Sequence, residues 1–392
     1  MNLLRVVPSR PYTNPWNRPY RDRFKALFTK PLRVCYFYER ADNSTFRYRA
    51  YNMAQALDEK QNARVAASYF FKEDLSNLPE LVECSDAAVV CRWRYDENLA
   101  ALVSSFHREG KPVLFDIDDF VFNIDYVHVI MSTLRQDMSS SDSWDRWYAY
   151  VGRLGAALKL CDGAITTNDY LAERIRDYKS IPVHVIPNFL NREQIQISEE
   201  ILAAKKRVNR DPTQIFMGYF SGSPTHLADF EVAAEGIAAA LESDERLRLC
   251  VVGYMEVDSR FAHLQDRIRY YPFQDFVNLQ RLIGAVDINL MPLQNNIFTN
   301  CKSELKFFEA AAVGTWSIAS PTYTYSRAID EMRKGRIAKS HDWFDAIQEA
   351  VQHTSGPDKQ ERLLYLQQAS IRYHYRTVAP TIEDALLGWL HA

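Results

Sequence analysis

Residues 301–320 read CKSELKFFEAAAVGTWSIAS, and their spacing places one helix directly before one strand. Ser303 is a capping residue, Leu305, Phe308 and Ala312 recur at helical spacing, and Gly314 is a C-terminal stop. A helix from near Ser303 to Val313 is therefore expected, followed by a strand over Trp316–Ala319. Lys302, Lys306 and Glu309 are spaced by four and three residues and share the other helix face. Cations at a helix N-terminus oppose the macrodipole, at a cost of roughly a few tenths of a kcal/mol that a bound anion would remove. A diphosphate held by backbone N–H groups, Ser303 and Lys302 or Lys306 fits this pattern, and a surface Lys–Glu ladder is the plainer alternative.

The same alternation extends in both directions. Short β-branched or aromatic runs occur at Arg33–Tyr38, Arg64–Phe70, Ala87–Cys91, Pro112–Asp116, Ala164–Thr167 and Val183–Ile186. A second set follows at Ile215–Phe220, Leu247–Gly253, Arg269–Tyr271, Val286–Met291, Trp316–Ala319 and Arg336–Ala338. Longer amphipathic segments separate them, which is the pattern of parallel sheets with crossover helices. The reading is α/β, with two open domains facing each other across a cleft. Residues 1–32 form a basic arm rich in proline and aromatics, 33–195 the first domain, 196–212 a polar connection, 213–370 the second domain, and 371–392 a helix returning to the first.

Composition narrows the function classes. The chain has 392 residues, 47% of them apolar, and a formal net charge of −3, so it is an ordinary globular protein without the basic domain that nucleic-acid binding requires. No apolar stretch is long enough to span a bilayer, and no secretory signal core is present. Six cysteines without a C-x-x-C pair read as reduced core residues of a cytoplasmic protein, with no metal centre spelled out. The first glycine is Gly110, so the turn after Tyr38 carries no G-x-G-x-x-G fingerprint. Residues 1–33 carry eight cations against the single acid Asp22, interleaved with aromatics such as Tyr12 and Trp16. This segment suits peripheral contact with an anionic membrane face, or a leader packed along the body.

Three further stretches carry candidate chemistry. MGYFSGSPTHLADF, residues 217–230, ends a strand in Ser221, Gly222 and Ser223 before a helix, at the sheet edge where ligands of α/β proteins sit. Gly222 would admit a phosphate to the backbone, and Ser221, Ser223 and His226 would donate to it, although Ser223 is also an ordinary capping residue. The helix opening near Ser44 or Thr45 buries Phe46, Ala50, Met53 and Leu57 and places Arg47 and Arg49 in its first turn. These two arginines either hold a phosphate of donor or acceptor or pair with nearby acids. FDIDDF, residues 115–120, puts Asp116, Asp118 and Asp119 at a carboxyl edge, where Asp118 and Asp119 are the candidate catalytic or hydroxyl-binding carboxylates.

EAAAVGTWSIAS resembles the E-A-x-A-x-G-x-P-V-I-A-S segment of retaining, nucleotide-sugar-dependent glycosyltransferases of the GT-B fold, the family-four group. YFSGSPTHLADF, VDINLMPL and VHVIPN are similar to segments at the matching places in bacterial surface-polysaccharide members, and the order is kept from residue 33 to the C-terminus. The resemblance implies two Rossmann-like domains, a nucleotide diphosphate sugar as donor and co-substrate, a glycan or lipid-linked glycan as acceptor, retention of configuration, and no metal cofactor. It makes Glu309 the second glutamate of the E-x7-E motif, which binds ribose hydroxyls. The first glutamate falls on Cys301, and the basic pair usual after the first strand of the second domain is missing from SGSPTH. Lys302 and Lys306 are the substitutes inferred for phosphate neutralisation, with Ser303 beside them. Cys301 leaves two other readings open: a catalytically degenerate binding or partner module, and a sugar-nucleotide epimerase of the same architecture.

Overall fold

In the computed structural model, residues 7–207, 213–222, 227–254, 257–332, 335–355 and 359–390 are described. Twelve parallel strands form two sheets. The first holds β1 (Leu32–Tyr38), β2 (Val65–Phe71), β3 (Ala87–Cys91), β4 (Val113–Asp116), β5 (Gly163–Thr166) and β6 (Val183–Val185), in the order β2-β1-β3-β4-β5-β6. The second holds β7 (Ile215–Ser221), β8 (Leu247–Gly253), β9 (Ile268–Tyr271), β10 (Ile288–Met291), β11 (Trp316–Ala319) and β12 (Gly335–Ile337), in the order β9-β8-β7-β10-β11-β12. Each expected strand is present within two residues of its bounds. The cause is physical: strands covered by helices on both faces must be apolar throughout, as the fully buried runs of β3, β4 and β5 are.

The orders locate two switch points. Strand succession reverses between β1 and β3 in the first sheet and between β7 and β10 in the second, and a crevice opens beyond the carboxyl ends at such a point. Asp118 and Asp119 follow β4, Arg92 follows β3, and Ser221 ends β7. Gly314 ends its helix with φ +64, as a C-terminal glycine stop requires.

Two segments of the sequence reading gain definition; of the connection at 196–212, residues 208–212 lie outside the described residues. The polar connection is a helix over Arg192–Arg207. Its Ile197, Ile201 and Ala204 recur at helical spacing and enter the core of the second domain with Val252, Leu282 and Val313, so charges on the opposite face had masked an amphipathic pattern. Of the two readings of the basic arm, the described residues show the one in which it packs along the body. Val7 enters that same core, the backbone of Arg10 exchanges hydrogen bonds with the Asn278 side chain at 3.0 Å each way, and Trp16 is buried among Phe46, Tyr51 and Phe276. Two of its cations are occupied as well: Arg23 forms a buried fork with Asp74, and Lys30 donates to the carbonyl of Leu57 at 2.6 Å. Two of its aromatics, Tyr12 and Trp16, meet Phe276 of the second domain.

The helix Tyr375–Leu390 returns to the first domain, where Glu383 accepts from the Val65 backbone and pairs with Lys60 at 2.7 Å. Among the described residues, no helix is long and apolar enough to cross a membrane.

Arg49 is fully buried and grips Asp116 with two hydrogen bonds, Nε to Oδ1 at 2.7 Å and Nη2 to Oδ2 at 3.0 Å. Its remaining nitrogen donates to the Ile186 carbonyl at 2.8 Å and to Asn188 at 3.1 Å. The reading of Arg49 as a phosphate or acceptor ligand is therefore corrected: a turn of π-helix over Arg47–Tyr51 aims it into the core. Replacing Arg49 by Met should destabilise the protein by about 3 to 5 kcal/mol, because Asp116 is left as an unpaired buried charge. The double variant Arg49→Met with Asp116→Leu should recover much of that loss in denaturant unfolding.

Candidate active site in the interdomain cleft

The first domain contributes a charged cluster at its carboxyl edge. Arg92 follows β3 with φ +42, a left-handed conformation costing a non-glycine residue on the order of 1 kcal/mol or more. A hydrogen bond from its backbone N–H to the Asp116 carbonyl at 2.9 Å holds it there. Its guanidinium donates to Asp118 at 3.1 Å, to Thr45 at 3.2 Å and to the Tyr150 hydroxyl at 3.1 Å, and lies 3.8 Å from Asp119. Thr45 also donates to Asp118 at 3.1 Å. Asp118 is thus clamped by side chains, while Asp119 accepts the Phe120 backbone N–H at 3.1 Å and has its charge partners at longer range. Sequence reasoning missed Arg92, since nothing in CRWRYD, residues 91–96, marks a strained residue.

Across the cleft, Lys302 reaches to 3.9 Å from Asp119, so the structure brings together two residues singled out separately. Four positions further, Lys306 lies over the Tyr219 ring at 5.4 Å. Burial pushes its ammonium down to about 8; Asp229 and Glu309 pull the other way, and Lys302 adds to the fall. At the end of β7, Ser221 is buried and Gly222 is exposed. Ser223 and His226 lie outside the described residues.

The helix begins at Leu305 rather than Ser303. Ser303 accepts a hydrogen bond from the first-domain amide of Asn188 at 3.0 Å, and Glu304 takes the N-cap position. Glu304, at the helix entrance, is buried and accepts from the Tyr373 hydroxyl at 2.9 Å. Burial raises its carboxyl above the usual range.

Glu309 is turned toward the first domain. Its Oε1 accepts from the Tyr48 hydroxyl at 2.5 Å and from Gln194 at 3.0 Å, and Arg47 lies 3.6 Å away. Arg47 is sandwiched near the rings of Tyr48 and Phe276 and donates Nε to the Asn43 carbonyl at 2.8 Å. Unlike Arg49, it keeps one buried N–H without a partner, so of the two arginines it alone has a donor to offer a ligand.

Cys301 is buried with Phe298 in the core of the first domain, and its carbonyl accepts from Asn168 at 2.9 Å. Burial raises its thiol. Asn296 and Gln294 donate to the side chain and the carbonyl of Thr133 at 2.9 and 3.0 Å. The segment before the helix therefore anchors one domain on the other. Among the described residues, no group of three or more His, Cys, Asp or Glu side chains is placed to hold a metal ion.

Tyr48→Phe removes one of two hydrogen bonds to the buried Glu309 carboxylate oxygen. It should lower stability by about 1.5 to 3 kcal/mol, read as a fall in unfolding midpoint, because the bond is to a charged group.

Residues 212–355 match the family model described as glycosyl transferases group 1. Among solved structures, HepE of Anabaena in complex with UDP and glucose is similar at 12% identity and a TM-score of 0.58, covering 91% of this chain and 99% of that one. WaaG, a glycosyltransferase involved in lipopolysaccharide biosynthesis, is similar at 12% identity and a TM-score of 0.53, covering 91% of this chain and 100% of that one. An alpha,alpha-trehalose-phosphate synthase (UDP-forming) from Burkholderia xenovorans in complex with glucose-6-phosphate is similar at 11% identity and a TM-score of 0.55, covering 92% of this chain and 100% of that one. No curated protein matches the chain. The second domain thus matches glycosyl transferases group 1, and the whole chain has the two-domain GT-B architecture.

Proposed function

We propose that this chain transfers a glycosyl group from a nucleotide diphosphate sugar to a hydroxyl of a growing glycan, with retention, in surface-polysaccharide synthesis. The observation that carries the reading is Lys302 on the second domain, 3.9 Å from Asp119 of the Asp118–Asp119–Arg92 cluster of the first, with Lys306 four residues further along the same segment. HepE and the trehalose-phosphate synthase, whose descriptions name UDP, support a uridine diphosphate sugar as the first donor to test. WaaG supports the polysaccharide assignment.

Negative charge develops on the leaving diphosphate as the glycosidic bond breaks, and two ammonium groups already fixed in a half-buried site stabilise it there. Asp119 is the carboxylate placed to accept a hydrogen bond from the acceptor hydroxyl, because Asp118 is held by Arg92 and Thr45. Arg92 is a positioning residue. Arg47, with its unpartnered N–H, stands beside Glu309, the residue that the resemblance assigns to ribose.

The burial of Cys301 in the domain contact favours a second reading, a binding module without transfer, and one experiment separates the two. Purified protein is given UDP-sugars with acceptor oligosaccharides, and released UDP and product are measured. Transfer by the wild type, with kcat/KM falling roughly 100-fold or more in Lys306→Met, is the expected outcome. Nucleotide binding without acceptor-dependent release would favour the module, and release of free sugar nucleotide would favour an epimerase.

The lysine also sets a pH dependence. A group with pKa of about 8 is charged below that value and loses its charge as pH rises through it, so kcat/KM should fall above about pH 8. Lys306→Arg, whose guanidinium stays charged, should move that limb to higher pH.

A further inference from the structure

We propose that a cavity on the free edge of β2, walled by the N-terminal arm, binds one pyranose unit of a carbohydrate at a site separate from the cleft. The cavity measures about 310 Å³, at the small end of the roughly 300 to 1,000 Å³ typical of small-molecule sites. It lies between the arm, the helix Asn52–Glu59, the start of the helix Arg192–Arg207 and the middle of β2. Small side chains create the space: Ala26 of the arm, Ala54 of the helix, and Ala66, Ala67 and Ser68 of β2 line it where larger groups would fill it.

The edge of β2 supplies open backbone groups. Leu32 of β1 donates its N–H to the Arg64 carbonyl at 3.0 Å, so in this parallel pair the even-numbered residues from Arg64 onward bond to β1 and the odd-numbered ones face outward. Of the outward groups, the Val65 N–H is taken by Glu383 at 3.4 Å and the Tyr69 carbonyl by Arg23 at 3.1 Å. Ala67 stands between them and lines the cavity, and among the described residues its outward N–H and C=O meet no partner. A buried donor and acceptor left open cost free energy that a ligand hydroxyl, which both donates and accepts, removes. A peptide strand has no room to extend along this edge, because Glu383 and Arg23 close it on either side of Ala67.

Charge around the cavity is balanced. Arg192 is neutralised by Glu59 at 2.7 Å and Glu193 at 3.1 Å. Arg18 and Asp58 are both exposed, and among the described residues neither forms an ion pair. A phosphate there would meet the Asp58 carboxylate, whereas sugar hydroxyls donate to that carboxylate and accept from the guanidinium. Tyr51 and Tyr69, with ring centroids 6.1 Å apart, add the apolar wall against which the C–H face of a pyranose packs. The cavity reaches residues 66–69 of β2, short of the rim that carries Arg92 and Asp118, so its ligand is not the acceptor in the cleft. That the sugar belongs to a glycan handled by this chain rests on the transferase reading; the chemistry of the cavity does not.

The test is saturation-transfer NMR of the full chain with the methyl glycosides of glucose, galactose, mannose and N-acetylglucosamine and a trisaccharide of each. Inorganic phosphate and glycine serve as competitors. At least one methyl glycoside should bind the wild type, with its Kd changed by less than about twofold under excess UDP. Arg18→Ala and Asp58→Asn should each weaken it about 10- to 100-fold, the loss of one hydrogen bond to a charged group. Ala54→Leu, which fills the space, should abolish it. Arg18 and Asp58 are exposed, so their variants should keep the wild-type unfolding midpoint. Absence of any bound glycoside, binding unchanged in all three variants, or displacement by phosphate or glycine overturns the proposal. A trisaccharide bound as tightly as its methyl glycoside supports the site with a glycan end as the source, and exclusion of the trisaccharide supports it with a free sugar. Glycoside binding by a wild type that releases no UDP from any UDP-sugar overturns the transferase reading and leaves the site standing.

Discussion

A strand that runs parallel to its neighbour has to return by a crossover, and that constraint orders everything else in this protein. Both sheets are parallel throughout, so all strands of a sheet end on one rim, and every loop that can carry chemistry leaves from there. The first sheet delivers Arg92, Asp118 and Asp119 to its rim; the second delivers Ser221 and Gly222. Lys302 and Lys306 come from the next βα connection, after β10. The cleft is what remains where the two rims meet.

Charge within the cleft is partitioned between structure and availability. The Arg49–Asp116 fork is wholly internal and costs desolvation on both sides, which its geometry and two further acceptors offset. Asp118 is fixed by two donors, whereas Asp119 and Lys302 face each other at a distance too long for a hydrogen bond. Groups of that second kind can exchange partners with little loss. Lys306 is poised by burial near the pH at which it gains or loses its proton.

Three segments far apart in sequence hold the domains together. The N-terminal arm runs from the second-domain core at Val7 to the junction at Trp16. The stretch Gln294–Cys301 docks on Thr133 and Asn168, and the C-terminal helix packs back on the first domain. Trp16 touches Phe46 and Tyr51 on one side and Phe276 on the other, so opening the cleft exposes its indole to water at a cost of about 1.5 to 3 kcal/mol. The cysteine at the expected glutamate position belongs to one of these anchors. Its apolar side chain suits a buried contact with Phe298, where an unpaired carboxylate would not be tolerated.

What the sequence by itself determined was the set of elements and their class. Strands buried on both faces need continuous apolar runs, and the stripe Phe46, Ala50, Met53 and Leu57 needs a helix, so local pattern was sufficient. The candidate residues Asp118, Asp119, Lys302 and Lys306 were legible because they end strands or flank a helix start. Only the tertiary structure decided which charges are free. Arg47 and Arg49 are two residues apart and look alike, yet Asp116, 67 positions away, takes one and leaves the other with an open donor. Arg92 and the partners of Glu309 were likewise invisible, because a side chain's role is set by what the fold brings within about 3 Å of it, and periodicity carries no record of that.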